Sequence, residues 1–260
     1  MRTQNRYNME LNYKQFGQGE PIIILHGLFG TLDNWQTIAK QLAENYMVFI
    51  IDQRNHGKSP HSDDFSYKIM ANDLKEFMFK QHIYEATIIG HSMGGKVAMR
   101  FALDYPDMVT KLVVVDIAPK KYKGGHQQIF EAMFGLDLEE LTDRKSIDAA
   151  LKLRIPNDGI RLFLMKNLAR QKEGGYRWKM NLPVLYREYE EILSSIDSEE
   201  VYDEPVLFLR GGDSNYIRDE DVLDIQEHFP LMQLETIPNA GHWLHAEAPA
   251  LFIKTVLNFI

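Results

Sequence analysis

The chain has 260 residues, 45% hydrophobic and 25% charged, which suits one globular unit with a sizeable core and room for an insertion. A formal net charge of −8 argues against nucleic acid or an anionic membrane as the main partner, and the lack of cysteine excludes disulfides, thiolate catalysis and Cys-ligated metals. No apolar run approaches the roughly 20 residues of a membrane span, and the polar residues 1–10 lack a signal-peptide core, so a cytoplasmic protein without a membrane span is expected.

Residues 7–16 alternate loosely and predict an opening strand or hairpin, followed by turn residues 17–21. Residues 22–25, Ile-Ile-Ile-Leu, form the continuous apolar run of a strand buried on both faces. The run ends in His26-Gly27-Leu28-Phe29-Gly30, after which Asp33 or Asn34 can start a helix through Trp35, Ile38, Ala39 and Leu42. Residues 46–51 predict a further strand, leading into Asp52-Gln53-Arg54-Asn55-His56-Gly57-Lys58-Ser59-Pro60. Within 67–80, Ile69, Leu74, Phe77 and Met78 fall at helical spacing. A strand at 87–90 leads into a helix over 92–105, and Leu-Val-Val-Val within 111–116 marks the next buried strand.

Short apolar strands alternating with helices predict a doubly wound, mostly parallel α/β sheet. Ligands bind such sheets beyond the carboxyl ends of the strands, so His26-Gly27, residues 54–56, Ser92 and Asp116 should share one rim. The rhythm changes after Pro119. Residues 120–203 hold no convincing strand but four helical stretches, around 129–134, 146–153, 160–169 and 183–193. Breaks fall at Gly124-Gly125, residues 156–159 and Gly174-Gly175. The expected division is a core of residues 1–119 and 204–260 carrying a mostly helical insertion, 120–203. Alternation resumes with a strand at 206–209, a helix at 219–229 and a strand at 233–237. The loop Pro238-Asn239-Ala240-Gly241-His242-Trp243 and a closing helix over 249–259 complete the chain.

Chemistry centres on Gly90-His91-Ser92-Met93-Gly94. A glycine-bearing turn can contain serine by chance, but here it joins a buried strand to a helix, which places Ser92 on a sharp turn with free N–H groups behind it. A serine hydroxyl needs a base, an acid to orient that base, and donors for the oxyanion. His242 fits the base, past the last strand and before a helix; His245 competes but falls toward the helix, where packing or capping explains it. For the acid, the loop Arg210-Gly211-Gly212-Asp213-Ser214 follows a strand that often carries it, but the usual spacing lands on Ser214. Asp116, ending a Leu/Val strand on the same rim, is favoured, with Asp213 as the alternative; the plain reading of Asp116 is a cap on the Ile117-Ala118-Pro119 turn. Position assigns the oxyanion donors to the N–H of Met93 and that of Leu28, or Phe29 by a shift of one. Asp52 and Arg54 can tie their own loop together. His26, His56 and His91 lack a carboxylate at ligand spacing, so no metal is expected.

These segments together resemble the α/β-hydrolase superfamily over nearly the whole chain, and within it the YbfF-type esterases. The matching blocks are His26-Gly27-Leu28-Phe29-Gly30 with Asp33-Asn34-Trp35, residues 52–60, Gly90-His91-Ser92-Met93-Gly94-Gly95-Lys96, Val115-Asp116-Ile117-Ala118-Pro119 and residues 240–247. The resemblance implies an α/β-hydrolase fold with a helical cap, an esterase or thioesterase acting on acyl esters without a cofactor, and an acid at Asp116. Where the family's loop resembles Gly-Gly-Asn-Ser, this chain has Gly211-Gly212-Asp213-Ser214, a departure at Asp213.

Serine at position 92 argues against the epoxide-opening and dehalogenating relatives, which use an Asp nucleophile. Cofactor-free perhydrolases and carbon–carbon bond hydrolases keep the same three residues and remain alternatives, as does a non-catalytic ligand-binding homologue, which would be expected to lose Ser92 or His242. Phe29, Tyr122, Phe130 and Trp243 are expected to line an apolar acyl pocket, although most apolar residues of the insertion pack it onto the core. Lys120, Lys121 and Lys123 can attract an anionic leaving group such as coenzyme A, or simply form a solvated turn. The expected partner is a small acyl ester or acyl-CoA-like molecule, and the chain a monomer or homodimer.

Overall fold

The structure, a computed structural model, describes residues 9–260. Residues 7 and 8 of the expected opening strand lie outside the described residues. The first half contains β1 (Tyr13–Phe16), β2 (Pro21–Leu25), α1 (Gln36–Leu42), β3 (Met47–Ile51), α2 (Tyr67–Lys80), β4 (Ala86–His91), α3 (Met93–Asp104) and β5 (Val109–Val115). An insertion follows, with α4 (Gln127–Phe134), α5 (Arg144–Lys152), α6 (Asp158–Met165), β6 (Leu168–Arg170), β7 (Tyr176–Trp178), α7 (Leu182–Arg187) and α8 (Tyr189–Leu193). The chain ends with β8 (Val206–Gly211), α9 (Val222–His228), β9 (Met232–Ile237), α10 (Leu244–Glu247) and α11 (Pro249–Phe259).

Seven strands form one sheet in the order β1-β3-β2-β4-β5-β8-β9. Only β1 is antiparallel to its neighbour. The apolar strand runs follow from burial on both faces. Ile23, Leu25, Ile88, Leu112 and Val114 pack with α2 and α3, while Ile22, Ile24, Ile89, Val113 and Val115 pack with α1 and α11. From β2 the chain moves outward to β3, then crosses to β4 on the other side of β2. That reversal opens a crevice at the carboxyl ends of β2 and β4, where doubly wound sheets bind ligands.

The insertion, expected to be mostly helical with no convincing strand, also contains two short strands. β6 and β7 pair as an antiparallel hairpin, with Leu168 opposite Trp178 and Arg170 opposite Tyr176. Residues 168 and 169 continue the apolar spacing of α6, so periodicity carries the helix past its true end at Met165, and three-residue strands are too short for alternation to register. Gly174 and Gly175 form the hairpin's turn at φ +104 and +70. The expected helix over 183–193 is two helices, meeting at Glu188. The hairpin fastens the insertion to the core: the Asn181 N–H donates to Asn55 O at 2.8 Å, and His61 Nε2 bonds Lys179 O at 2.9 Å.

The loop after β3 also differs. Arg54 does not pair with Asp52 but reaches α2, where it makes a bidentate bond to Asp73 at 2.5 and 2.8 Å. Asp52 instead accepts from the N–H groups of Leu32 (2.8 Å) and Lys58 (2.9 Å) and from Asn12 Nδ2 (2.7 Å). The two charges tie the loop to different elements, and both are buried. Among the described residues, no helix is long and apolar enough to cross a membrane.

Candidate active site

Ser92 stands between β4 and α3 with φ 51° and ψ −119°. A non-glycine residue in this region is strained and is held there only by its surroundings. Here the Ser92 N–H donates to Val115 O at 3.0 Å, while its carbonyl accepts from the Gly95 and Lys96 N–H groups at 2.8 and 3.1 Å. The flanking glycines permit the tight turn: a Cβ at Gly90 would lie 2.3 Å from Gly94 O, and one at Gly94 would lie 2.5 Å from Leu25 O. The N–H groups of Met93 and Gly94 open α3, where no preceding turn supplies an acceptor.

Asp116 follows β5 at φ 50° and is fully buried. Its Oδ1 accepts from the Gly211 N–H at 3.1 Å, and its Oδ2 accepts from the Ser214 hydroxyl and from His242 Nδ1, the latter at 2.7 Å. A carboxylate can only accept, so Nδ1 carries the proton and Nε2 is left to accept one. The alternative acid, Asp213, is exposed; its backbone N–H donates to Ala240 O at 2.9 Å. Ser214, at the position where the usual spacing would put an acid, supplies its hydroxyl to Asp116 instead.

The His242 ring stacks on Tyr216, with centroids 3.8 Å apart and planes 13° from parallel. Its backbone carbonyl accepts from His91 Nε2 at 2.8 Å. Burial, and then the neighbouring His242 and His245, hold His91 well below the usual imidazole range. His245 packs as the competitor was expected to, stacked on Trp35 at 4.1 Å and 10° and pushed down to about 3 by burial. On the other side of the crevice, His26 is pushed down to about 4 by burial. Neutral, it donates from Nδ1 to Gly27 O at 2.8 Å and accepts the Gln53 N–H on Nε2 at 3.1 Å. Gly27 O also accepts the Gly30 N–H at 2.9 Å. The Gly27–Leu28 peptide is thus fixed, with the Leu28 N–H directed away from that doubly bonded carbonyl.

Ser92 lies on the walls of two cavities. One, of about 280 Å³, also holds His242 and is apolar, with Phe29, Ile129, Ile160, Phe163, Leu164 and Trp243 on its wall. The other, of about 480 Å³, is lined by Lys96, Lys120, Lys121, Lys123 and Arg218 together with Tyr67, Tyr122 and Tyr216. Phe29 and Trp243 both line the first, apolar cavity. Tyr122, expected with them, lines the basic cavity instead, and its hydroxyl accepts the Ala118 N–H (2.8 Å) and donates to Tyr216 O (2.7 Å). Phe130 lines neither cavity; it is fully buried and packs edge-on against Phe29, Tyr186 and Tyr189.

Several residues of the site escape a motif reading. Tyr216 and Ile160 belong to no motif, and only their folded positions bring them to the crevice. Lys96, one turn beyond Ser92 on α3, carries a helical-spacing signal. It is buried, donates to Leu193 O and Ser194 O, and is lowered by burial to about 7. Among the described residues no cluster of three or more His, Cys, Asp or Glu side chains is arranged to hold a metal ion.

A family model described as "alpha/beta hydrolase fold" matches residues 20–249. The sn-1-specific diacylglycerol lipase ABHD11 of Danio rerio is 39% identical over an alignment of 271 positions, covering 100% of this chain and 84% of the relative. Esterase YbfF of Escherichia coli (strain K12) is 35% identical over 241, covering 92% of each, which bears out the resemblance drawn from the sequence blocks. A solved structure described as a marine microorganism esterase superposes with a TM-score of 0.95 at 46% identity, covering 97% of this chain and 100% of its own. The sheet, the serine turn at the switch point and these relatives agree: the chain belongs to the α/β-hydrolase family and is a hydrolase.

Proposed function

We propose that the chain cleaves carboxylic esters or thioesters through an acyl-enzyme on Ser92. The observation that carries this reading is the 2.7 Å bond from His242 Nδ1 to the buried Asp116 carboxylate, with His242 and the strained Ser92 on the wall of one cavity. Ser92 attacks the carbonyl carbon while His242 Nε2 takes its proton. Asp116, held by Gly211 and Ser214, fixes the imidazole tautomer and stabilises the imidazolium. The N–H groups of Met93 and Leu28 bind the oxyanion. Fixing of the Gly27–Leu28 peptide supports Leu28 over Phe29 as the second donor. His242 then protonates the leaving alcohol or thiol, and water enters by the same route to release the acid.

Residues 120–203 act as the cap. The apolar cavity beneath α6 receives the acyl chain, and the larger cavity receives the leaving group. The basic wall of that second cavity suits an anionic leaving group, as in an acyl-CoA-like substrate. The relatives' names, a diacylglycerol lipase and an esterase, support ester chemistry without fixing the substrate.

A panel of chromogenic acyl esters and acyl-CoAs of graded chain length tests the reading. Turnover is expected to depend on acyl length and to fall by about 10⁵-fold or more in Ser92→Ala. Full activity in a folded Ser92→Ala protein would sink the mechanism.

A further inference from the structure

The insertion reaches the loop after β2 as well as walling the acyl cavity. Asn167, between α6 and β6, is 1% exposed, and its Nδ2 donates to the carbonyl of Phe29 at 2.6 Å. A carbonyl only accepts, so the amide nitrogen must be the atom facing it. The Asn167 backbone is fixed on both sides, its N–H donating to Leu164 O at 2.9 Å and its carbonyl accepting the Lys179 N–H at 2.8 Å. The hairpin that follows α6 therefore delivers this side chain to the core.

What it holds is a strained residue. Phe29 has φ 60°, a conformation that a non-glycine side chain keeps only under restraint. The insertion supplies restraints on both the ring and the backbone. Phe130 packs edge-on to the Phe29 ring at 5.1 Å, and Asn167 takes the carbonyl. Asn167 is also a costly residue to bury, since its Oδ1 has no donor among the described residues. An apolar side chain of similar size would be easier to place there, so the use of the amide lies in its bond to Phe29.

We propose that Asn167 is a positioning residue that holds the Leu28–Phe29 loop in the shape presenting its N–H to the oxyanion. Because it closes α6, whose Ile160, Phe163 and Leu164 wall the apolar cavity, it also links the seating of an acyl chain to the readiness of that loop. The inference rests on the acyl-transfer reading of Ser92, and its test separates the two.

The test compares Asn167→Leu and the smaller Asn167→Ala, which cannot clash, with Asn181→Ala. Asn181 fastens the same hairpin to the core, through Asn55 Oδ1 at 3.1 Å, without touching Phe29. Both Asn167 variants should lose about 10- to 100-fold in kcat, as a small misplacement of catalytic groups does, with KM within about threefold of the parent. Affinity for a tetrahedral mimic such as a trifluoromethyl ketone should fall by the same factor, while Asn181→Ala keeps kcat within about threefold. Amide hydrogen exchange across residues 28–30 reads the loop whether or not the chain hydrolyses anything, and it should quicken only in the Asn167 variants. Unchanged exchange, a rise in KM alone, or equal kcat losses in the Asn167 and Asn181 variants would overturn the proposal. If exchange quickens but the parent shows no Ser92-dependent turnover, the clamp on the loop stands and the acyl-transfer reading is what fails.

Discussion

At the scale of single residues, the site works by removing freedom. Ser92, Asp116 and Phe29 are all non-glycine residues at positive φ, and all three stand at the carboxyl ends of neighbouring strands. Each is held by at least one hydrogen bond that reaches across elements: Ser92 to Val115, Asp116 to Gly211 and Phe29 to Asn167. Asp116 accepts from the Gly211 N–H, the Ser214 hydroxyl and His242, so its charge is satisfied and its direction set. This yields a sharp prediction. Asp116→Asn should lower kcat about 10³- to 10⁴-fold by presenting the wrong tautomer of His242, whereas Asp213→Asn should stay within about threefold. Steady-state kinetics on one chromogenic ester decide it, and a collapse confined to Asp213→Asn would move the acid to that residue. Sequence could rank these carboxylates but not separate them, because what separates them is burial. Asp116 ends a strand packed on both sides, while Asp213 stands on an exposed turn.

At the scale of elements, the main sheet was legible because each buried strand is a run of Ile, Leu or Val ending in a glycine or polar loop, and that punctuation survives any packing. Residues 22–25 and 111–115 needed no partner to be read. The hairpin of β6 and β7 was not legible. Three residues give no period, and Leu168 and Ala169 continue the spacing of α6. The hairpin matters to the site, since its flanks bring Asn167 to Phe29 and Asn181 to Asn55. The two cavity walls show the same limit. Phe29 and Trp243 flank motifs, which ties them to the crevice. Phe130 could not be placed, because helical spacing in an insertion does not say which face meets the core, the cavity or solvent, and Tyr122 lies in irregular chain ahead of α4, which carries no period.

At the scale of the whole molecule, the acidic net charge coexists with several buried, neutral imidazoles in and beside the crevice. Burial pushes His26 and His126 down to about 4, and His56 and His245 down to about 3. In the unfolded chain these groups take up protons near their ordinary value of about 6.5. Their folded values are depressed, so below that point the unfolded state binds more protons, and stability falls as pH falls. The full contribution is present above about pH 6.5 and is lost toward pH 4, at about 1.4 kcal/mol per pH unit for each such group. The urea midpoint should therefore drop steeply between pH 7 and pH 5, with several histidines acting together. A midpoint that stayed flat or rose across that interval would mean that the imidazoles are not held neutral by the fold.

Whether Ser92 is the nucleophile of an acyl-transfer site is decided by mass measurement after treatment with a serine-reactive phosphonate. One adduct per chain is expected, on the peptide carrying Ser92, growing in step with the loss of esterase activity and absent from Ser92→Ala. An adduct on another residue, or turnover that survives complete labelling of Ser92, would contradict it.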